Sequence, residues 1–479
     1  MPDATASAYA AIDFGASSGR VLTGRLDGGR LALAEVRRFP NRPLELPDGL
    51  HWDLGHLYAE ALAALREAGP LRGIGVDTWG VDYGLLDARG ALLGLPFHYR
   101  DARTDGMVER AFSQVPADEL YASTGIQTLP INTIFQLLAE PSFERAERIA
   151  LIPDLLAYWL TGELANERTA ASTTGLLDAA SGEWATPLIE RLGLPVSIFG
   201  DIVDPGTALG PVRRELGLGP VTLFAVGAHD TASAFAAAPL RDEHSAVLSC
   251  GTWSLLGLEL RAPVLSEVAR AQNLTNERGV GGTTRLLKNV MGLWLEQECA
   301  REWGADHAEL FAAAADAAPD VPLFDPDDEA FLAPGDMPAR IAAACEALGQ
   351  PAPRDRGETI RSILVSLACR YRLVLEHLQA ATGREITCIN VIGGGVQIEL
   401  LCQLAADITG REVLAGPVEA TAIGNILVQA LGAGELGSLA EVRGVAAASA
   451  TPRRHAPAGD DAAYHRFLSL TGLTQPAHA

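Results

Sequence analysis

A chain of 479 residues is longer than one ordinary core accommodates, so its size favours two domains, or three at a stretch. Hydrophobic residues make up 48%, yet no uninterrupted apolar run reaches the ~18 residues of a membrane span, and the opening MPDATASAY lacks a basic region and an apolar signal core, which predicts a cytoplasmic location. The net charge of −23 argues against nucleic-acid or anionic-membrane partners, because phosphate backbones are held by clustered Lys and Arg.

Six cysteines, Cys250, Cys299, Cys345, Cys369, Cys388 and Cys402, lie in the second half without CxxC pairs or zinc-spaced histidines, and read as reduced, buried small hydrophobes. The only lysine is Lys288. A P-loop requires GK[ST] and a protein kinase requires a strand lysine, and Lys288 after Leu287 suits neither.

The first strand pattern, YAAIDFG (9–15), ends in an acid and breaks at once into small residues, Ala16, Ser17, Ser18 and Gly19, before Arg20. Glycine and serine at a tight turn leave backbone N–H groups bare and add hydroxyl donors, which suits phosphate oxygens. A plain hairpin accounts for the same pattern. Beside a triphosphate Asp13 would need Mg²⁺ between the two negative groups, an ion that prefers hard oxygen ligands and retained waters. Arg20 suits a forked contact to phosphate or a pairing with a surface acid.

RGIGVDTWG (72–80) is the next buried strand, followed by Asp82 and, in FHYRDART, by Arg100, Asp101 and Arg103. Aromatic faces beside carboxylates and glycine suit a sugar, while Trp79 is equally at home as a core residue. VTLFAVGAHD (221–230) ends in His229 and Asp230; with Thr231 and Ser233 following, Asp230 is either a helix cap or a catalytic group. The charged PLRDEHS (239–245) marks a domain boundary.

SAVLSCGTW (245–253) then repeats the first theme, since IDFGASSGRVLTGRL and LSCGTWSLLGLEL both read strand, glycine with hydroxylated residues, strand. Two such turns, one opening each half, suit a duplicated fold around one ligand. The stretch IRSILVSLACRYRLVLEHLQAATG (360–383) has helical spacing and a closing glycine. ITCINVIGGG (386–395) does not match GxGxxG, but its glycines leave room for a flat base or a ribose. GPVEATAIGNILVQALGAG (416–434) reads as a helix with small residues for close packing, and the Ala- and Pro-rich stretch 442–467 as a surface strap with little chemistry.

DFGASSGR, HWDL, DTWGVDYGLLD, LPFHYRDART, GIQTLPINTIFQL, LIPDLLAYWLTG, ERTAASTTGLLD, HDTASA, GTWSLLG, LKNVMGLWLEQE and AGPVEATAIGN follow in that order from the first strand to about Gly434. On these motifs the chain resembles the FGGY carbohydrate kinases of the actin-like ATPase superfamily. The resemblance implies an α/β fold of two actin-like ATPase (ribonuclease H-like) domains with a cleft between them. Residues 1–240 would be the N-terminal FGGY domain with sugar site and first phosphate loop, and 241–479 the nucleotide-binding C-terminal FGGY domain. It further implies ATP and Mg²⁺ as cofactors and transfer of the γ-phosphoryl of ATP to the 1-hydroxyl of L-rhamnulose. A kinase for another ketose, such as L-fuculose or L-xylulose, and an actin-like ATPase switch are the alternatives. A monomer or homodimer is expected.

By the same resemblance Ala16, Ser17, Ser18, Gly19 and Arg20 are similar to a first phosphate loop, and Gly251-Thr252 to a second, with Thr252, Gln297, Gly394 and Gly395 at the nucleotide. Asp230 matches the family's catalytic base, flanked by His229 and Thr231 at the sugar, with Trp79, Gly80 and Asn289 also on the sugar side. Asp13 is similar to the acid that holds Mg²⁺ through water.

Overall fold

Strand Ala8–Phe14 is buried at every position, which is why its sequence is nearly all apolar instead of alternating. It sits at the centre of a sheet ordered Arg30–Pro40, Ser18–Asp27, Ala8–Phe14, Leu71–Thr78, Thr222–Phe224, Ala208–Pro211. From Ser18–Asp27 onward the pairings run antiparallel, parallel, parallel, antiparallel. The computed structural model describes residues 8–141, 143–459 and 461–476, so the first seven residues of MPDATASAY lie outside the described part.

A second sheet contains, in order, Trp253–Leu260, Ser245–Cys250, Cys388–Ile392, Glu412–Ala415 and Arg453–His455. These pairings also run antiparallel, parallel, parallel, antiparallel. The internal echo between the two glycine turns is therefore an echo of whole sheets. The 27-residue helix Arg356–Thr382 packs among the elements of this second half; Asp355 caps it by accepting from Glu358 N–H, and Gly383, with φ of +66°, ends it.

The chain forms two compact units drawn from interleaved segments. The first comprises the chain up to Pro239 together with Glu259–Leu286 and Ala420–Ala450; the second comprises Leu240–Leu258, Leu287–Glu419 and the chain from Thr451 onward. Helix Ala420–Gly432 joins the first unit because its small residues permit close approach: a Cβ on Gly424 would stand 1.8 Å from the carbonyl oxygen of Ser233. Gln429 Nε2 of the same helix donates to the Ala10 carbonyl at 2.9 Å. The small-residue pattern read from the sequence thus has its packing partner.

Two expectations are corrected. Only Thr222–Phe224 of VTLFAVGAHD is a regular strand; beyond it the backbone is irregular apart from a single parallel bridge from His229 to Thr78, and it runs into helix Asp230–Ala237. The 442–467 stretch is no surface strap. It supplies helix Leu439–Ser449, strand Arg453–His455 and the start of helix Ala462–Thr471, whose Tyr464 and Phe467 are fully buried against Val321, Leu323, Val365 and Cys369. Two aromatics three apart on one helical face outweigh the Ala and Pro around them. All six cysteines are buried and free. Among the described residues no helix is long and apolar enough to cross a membrane.

Candidate active site

The first glycine turn closes a hairpin in which Asp13 lies opposite Arg20 and, on the other side, level with Asp77 of the neighbouring parallel strand. Arg20 directs both Nε and Nη2 onto Asp13 Oδ2, at 2.8 and 2.7 Å. The arginine fork therefore falls on the hairpin's own acid. The turn is braced by Asn41, whose Nδ2 donates to the Gly15 carbonyl at 2.9 Å and whose backbone N–H donates to Ser17. Ser17 is exposed, with Ala16 and Ser18 half-buried. Gly19 has a packing role, since a Cβ there would stand 2.3 Å from Phe39 Cε2.

Asp77 is completely buried. Burial first, then the charges of Asp13 and Asp230, push its carboxyl well above the usual range, against a hydrogen bond from Asn425. Its Oδ1 is buried without a hydrogen-bond partner.

Backbone N–H of Thr78 donates to the Ala228 carbonyl at 2.9 Å, which brings the end of that strand to His229 and Asp230. His229 occupies the cap position of helix Asp230–Ala237 without a side-chain cap bond, so Asp230 is the first helical residue and not the cap. Its Oδ1 accepts from Thr231 N–H at 2.6 Å and Thr231 Oγ1 at 3.0 Å. The Asp230 side chain is 31% exposed, and burial chiefly, with a contribution from Asp13, raises its pKa, while His229 opposes the shift. Asp13, Asp77, His229, Asp230 and Thr231 thus form one cluster in the first unit.

His229 is held from two directions. Its backbone N–H donates to Thr169 Oγ1 at 3.2 Å, and Thr169 Oγ1 donates to Glu167 Oε2, which also accepts from Ala228 N–H. Its ring Nδ1 lies 3.1 Å from Glu277 Oε2 and 3.3 Å from Arg285 Nη2, while Nε2 lies 3.5 Å from Asp230 Oδ1. Neither Glu277 nor Arg285 was among the sequence candidates; both arrive from about 50 residues away, and no local pattern marks them.

On the sugar side as read from sequence, Trp79 is buried and its Nε1 donates to Asp82 Oδ2 at 2.9 Å. Trp52 Nε1 reaches the same oxygen at 2.6 Å, and the two indoles lie 3.9 Å apart at 32°. Burial lifts Asp82 to about 7 despite these donors and Gln136. A Cβ on Gly80 would touch Thr173 at 3.0 Å. The next residue, Val81, has φ of +70°, a strained backbone for a β-branched side chain. Thr173 Oγ1 accepts from its N–H and Thr133 Oγ1 donates to its carbonyl, which pins that conformation. Asp101 and Arg103 serve local structure: Asp101 accepts from Leu50 N–H and Arg103 N–H, and Arg103 pairs with Glu140 over the Phe97 ring.

In the second unit, Thr252 and Gln297 meet, with Thr252 Oγ1 donating to Gln297 Oε1 at 3.2 Å. The triple glycine lies on the same hairpin's base: a Cβ on Gly395 would stand 2.4 Å from Cys250 Sγ, while one on Gly394 would meet nothing within 4 Å. Asn289 lies half-buried on strand Thr284–Met291 in the same unit. Its neighbour Lys288 is buried; burial and Arg370 lower its pKa to about 8, against the pull of Asp327 and Asp325. That placement leaves the lone lysine a buried structural cation.

Family models for the FGGY family of carbohydrate kinases match residues 9–236 with the N-terminal domain and 246–433 with the C-terminal domain. A rhamnulokinase of Bacteroides thetaiotaomicron is 41% identical over 96% of this chain and 98% of its own. A rhamnulokinase of Enterococcus faecalis is 42% identical over 91% of each. Among solved structures, a gluconate kinase from Lactobacillus acidophilus superposes with a TM-score of 0.76 at 16% identity over 97% of this chain and 96% of that one. A xylulose kinase from Rhodospirillum rubrum does so with 0.73 at 22% identity over 96% and 97%. At such identities the structures speak for the fold alone: α/β, with two sheet-containing units of the actin-like ATPase kind.

Proposed function

Since the chain belongs to the FGGY family of carbohydrate kinases, we propose that it transfers the γ-phosphoryl group of ATP to the 1-hydroxyl of L-rhamnulose, giving L-rhamnulose 1-phosphate and ADP in the cytoplasm, as a step of L-rhamnose breakdown. The choice of sugar is supported by the two rhamnulokinases, each aligned over more than nine-tenths of this chain. The observation that carries the reaction is Asp230, a half-exposed carboxylate at a helix start, within electrostatic reach of the hairpin acid Asp13. The two halves, 1–240 for sugar and first phosphate loop and 241–479 for nucleotide, are proposed as functional divisions of the sequence.

Asp230 accepts the proton of the attacking hydroxyl as the oxygen bonds to phosphorus and ADP departs. Its raised pKa moves it toward a useful base, yet far below that of an alcohol, so the proton moves late. That timing suits a loose phosphoryl-transfer transition state, where alignment and charge neutralisation do most of the catalysis. His229, Thr231, Trp79, Gly80 and Asn289 orient the ketose. Ala16, Ser17, Ser18, Gly19 and Arg20 line the first phosphate loop, and Thr252, Gln297, Gly394 and Gly395 hold the nucleotide.

The first-unit acids suit a magnesium ion. Asp13, Asp77 and Asp230 are hard oxygen donors that feel one another's charge, and Asp77 has a buried oxygen without a partner. Such an ion keeps several waters and is completed by substrate phosphates. Asp13 would hold it through water. When bound, Mg²⁺ supplies neutralising charge to the phosphoryl oxygens.

The test is ADP formation with Mg²⁺ and ATP across L-rhamnulose, L-fuculose and L-xylulose, for wild type and Asp230→Asn. L-rhamnulose is expected to give the highest kcat/KM, and the variant to lose about 10²- to 10⁴-fold in kcat with its ketose KM largely retained. A near-normal kcat in the variant removes Asp230 from its role; a better substrate elsewhere in the panel changes the sugar and spares the reaction.

A further inference from the structure

Glu277 and Arg285 have no part in the roles above, although both reach the ring of His229. We propose that this pair is a positioning device for the His229 imidazole, turning Nε2 toward Asp230 and the acceptor sugar. The inference rests on the reading of His229 as a sugar contact.

Arg285 is fully buried and Glu277 nearly so. Arg285 Nη2 lies 3.2 Å from Glu277 Oε2, and its Nε donates to the Arg278 carbonyl at 3.0 Å, which stops the guanidinium from swinging. Burial works against the arginine's charge, and Glu277, Asp230 and Glu167 sustain it. A buried ion pair is poor evidence for stability, because well-packed apolar residues of similar volume often stabilise as much. What the pair does provide is a fixed partner for one ring nitrogen. The hydrogen bond at one nitrogen of an imidazole decides which proton state the other presents. Nδ1 accepts from Arg285 Nη2 at 3.3 Å, since a guanidinium can only donate, and Glu277 Oε2, 3.2 Å from that Nη2, supplies the opposite charge that keeps it there. Nε2 then carries the ring proton and presents an N–H to a sugar oxygen and to the Asp230 carboxylate.

The backbone completes the restraint. With His229 N–H bound to Thr169 and Ala228 N–H bound to Glu167, the main chain cannot rotate to release the ring. The imidazole is thus clamped at its backbone and at Nδ1, and its Nε2 edge is directed to Asp230, 3.5 Å away. Glu277 and Arg285 are positioning residues acting through His229.

Steady-state kinetics with L-rhamnulose and ATP on wild type, E277Q, H229N and the double variant test this. Glutamine is isosteric but uncharged, so it no longer holds the Arg285 guanidinium in place against Nδ1. E277Q is expected to raise the ketose KM about tenfold, with the ATP KM within about twofold of wild type. The double variant is expected to be no worse than H229N, because residues acting through one group are not additive. R285K, which keeps a cation and loses the fork, is expected to raise the ketose KM in the same direction and serves if E277Q does not fold. An unchanged ketose KM in E277Q or R285K, a parallel rise in the ATP KM, or additive losses in the double variant overturns the positioning role while leaving His229 at the sugar. An unchanged ketose KM in H229N removes His229 from the sugar and the positioning role with it.

Discussion

The hairpin at Asp13–Arg20 and the hairpin at Ser249–Ser254 occupy the same place in two sheets of the same strand order, yet one is charged and the other neutral. In the first, the residue before the last strand position is Asp13, clasped by Arg20 and level with Asp77. In the second it is Ser249, opposite Leu255, and the turn offers Thr252 to Gln297. Gly19, across from Phe14, leaves room for the Phe39 ring; Ser254, across from Cys250, sends its hydroxyl to Tyr371 at 2.7 Å instead. Duplicated topology supplies the same turn twice, and the residues placed on it decide its chemistry. On the proposed function, the charged turn faces the reacting phosphoryl group and its metal, and the neutral one the rest of the nucleotide.

If that division is right, the largest effect comes from the charged turn. Asp13→Asn is expected to lower kcat about 10- to 100-fold and to raise the Mg²⁺ concentration for half-maximal rate, as for residues that hold a metal through an intermediate layer. Activity at wild-type Mg²⁺ demand would show the two turns to be equivalent. Next, Gly19→Ala is expected to destabilise the protein by about 1–3 kcal/mol through overpacking against Phe39, read as a drop in Tm. An unchanged Tm would mean that Phe39 yields freely. The smallest effect belongs to the neutral turn: Thr252→Ala removes one partly exposed hydroxyl, and should raise the ATP KM by up to about tenfold with kcat and Mg²⁺ demand unaltered. A change in Mg²⁺ demand there would erase the contrast between the turns.

Much of the site was legible because its signals are local. A strand that ends in an acid and then in glycine announces a turn that serves something besides a core, and Asp13 was read that way, while Asp230 was read from an apolar run that in fact passes as irregular backbone into a helix. Thr252 and Gln297 lie 45 residues apart, and only the resemblance joined them. What stayed hidden came from distance. Asn425 reaches Asp77 across 348 residues, and Glu277 and Arg285 reach His229 across 48 and 56, with nothing in their own neighbourhoods to mark them. Val81 hides differently, since a valine predicts extended backbone and only Thr133 and Thr173 hold it at positive φ. The 442–467 stretch was misread from its composition, although Tyr464 and Phe467 at helical spacing were in view.

By itself, then, the sequence determined the α/β layering, the two glycine turns and the acid that ends the first strand. Each follows from residues within a few positions of one another. Only the tertiary structure decided that Arg20 turns to Asp13, that His229 is clamped by Glu277 and Arg285, and that 259–286 and 420–450 fold with the first unit. Such contacts are set by which surfaces exclude water together and which buried charges must find partners, and both depend on the closed chain, not on neighbours in sequence.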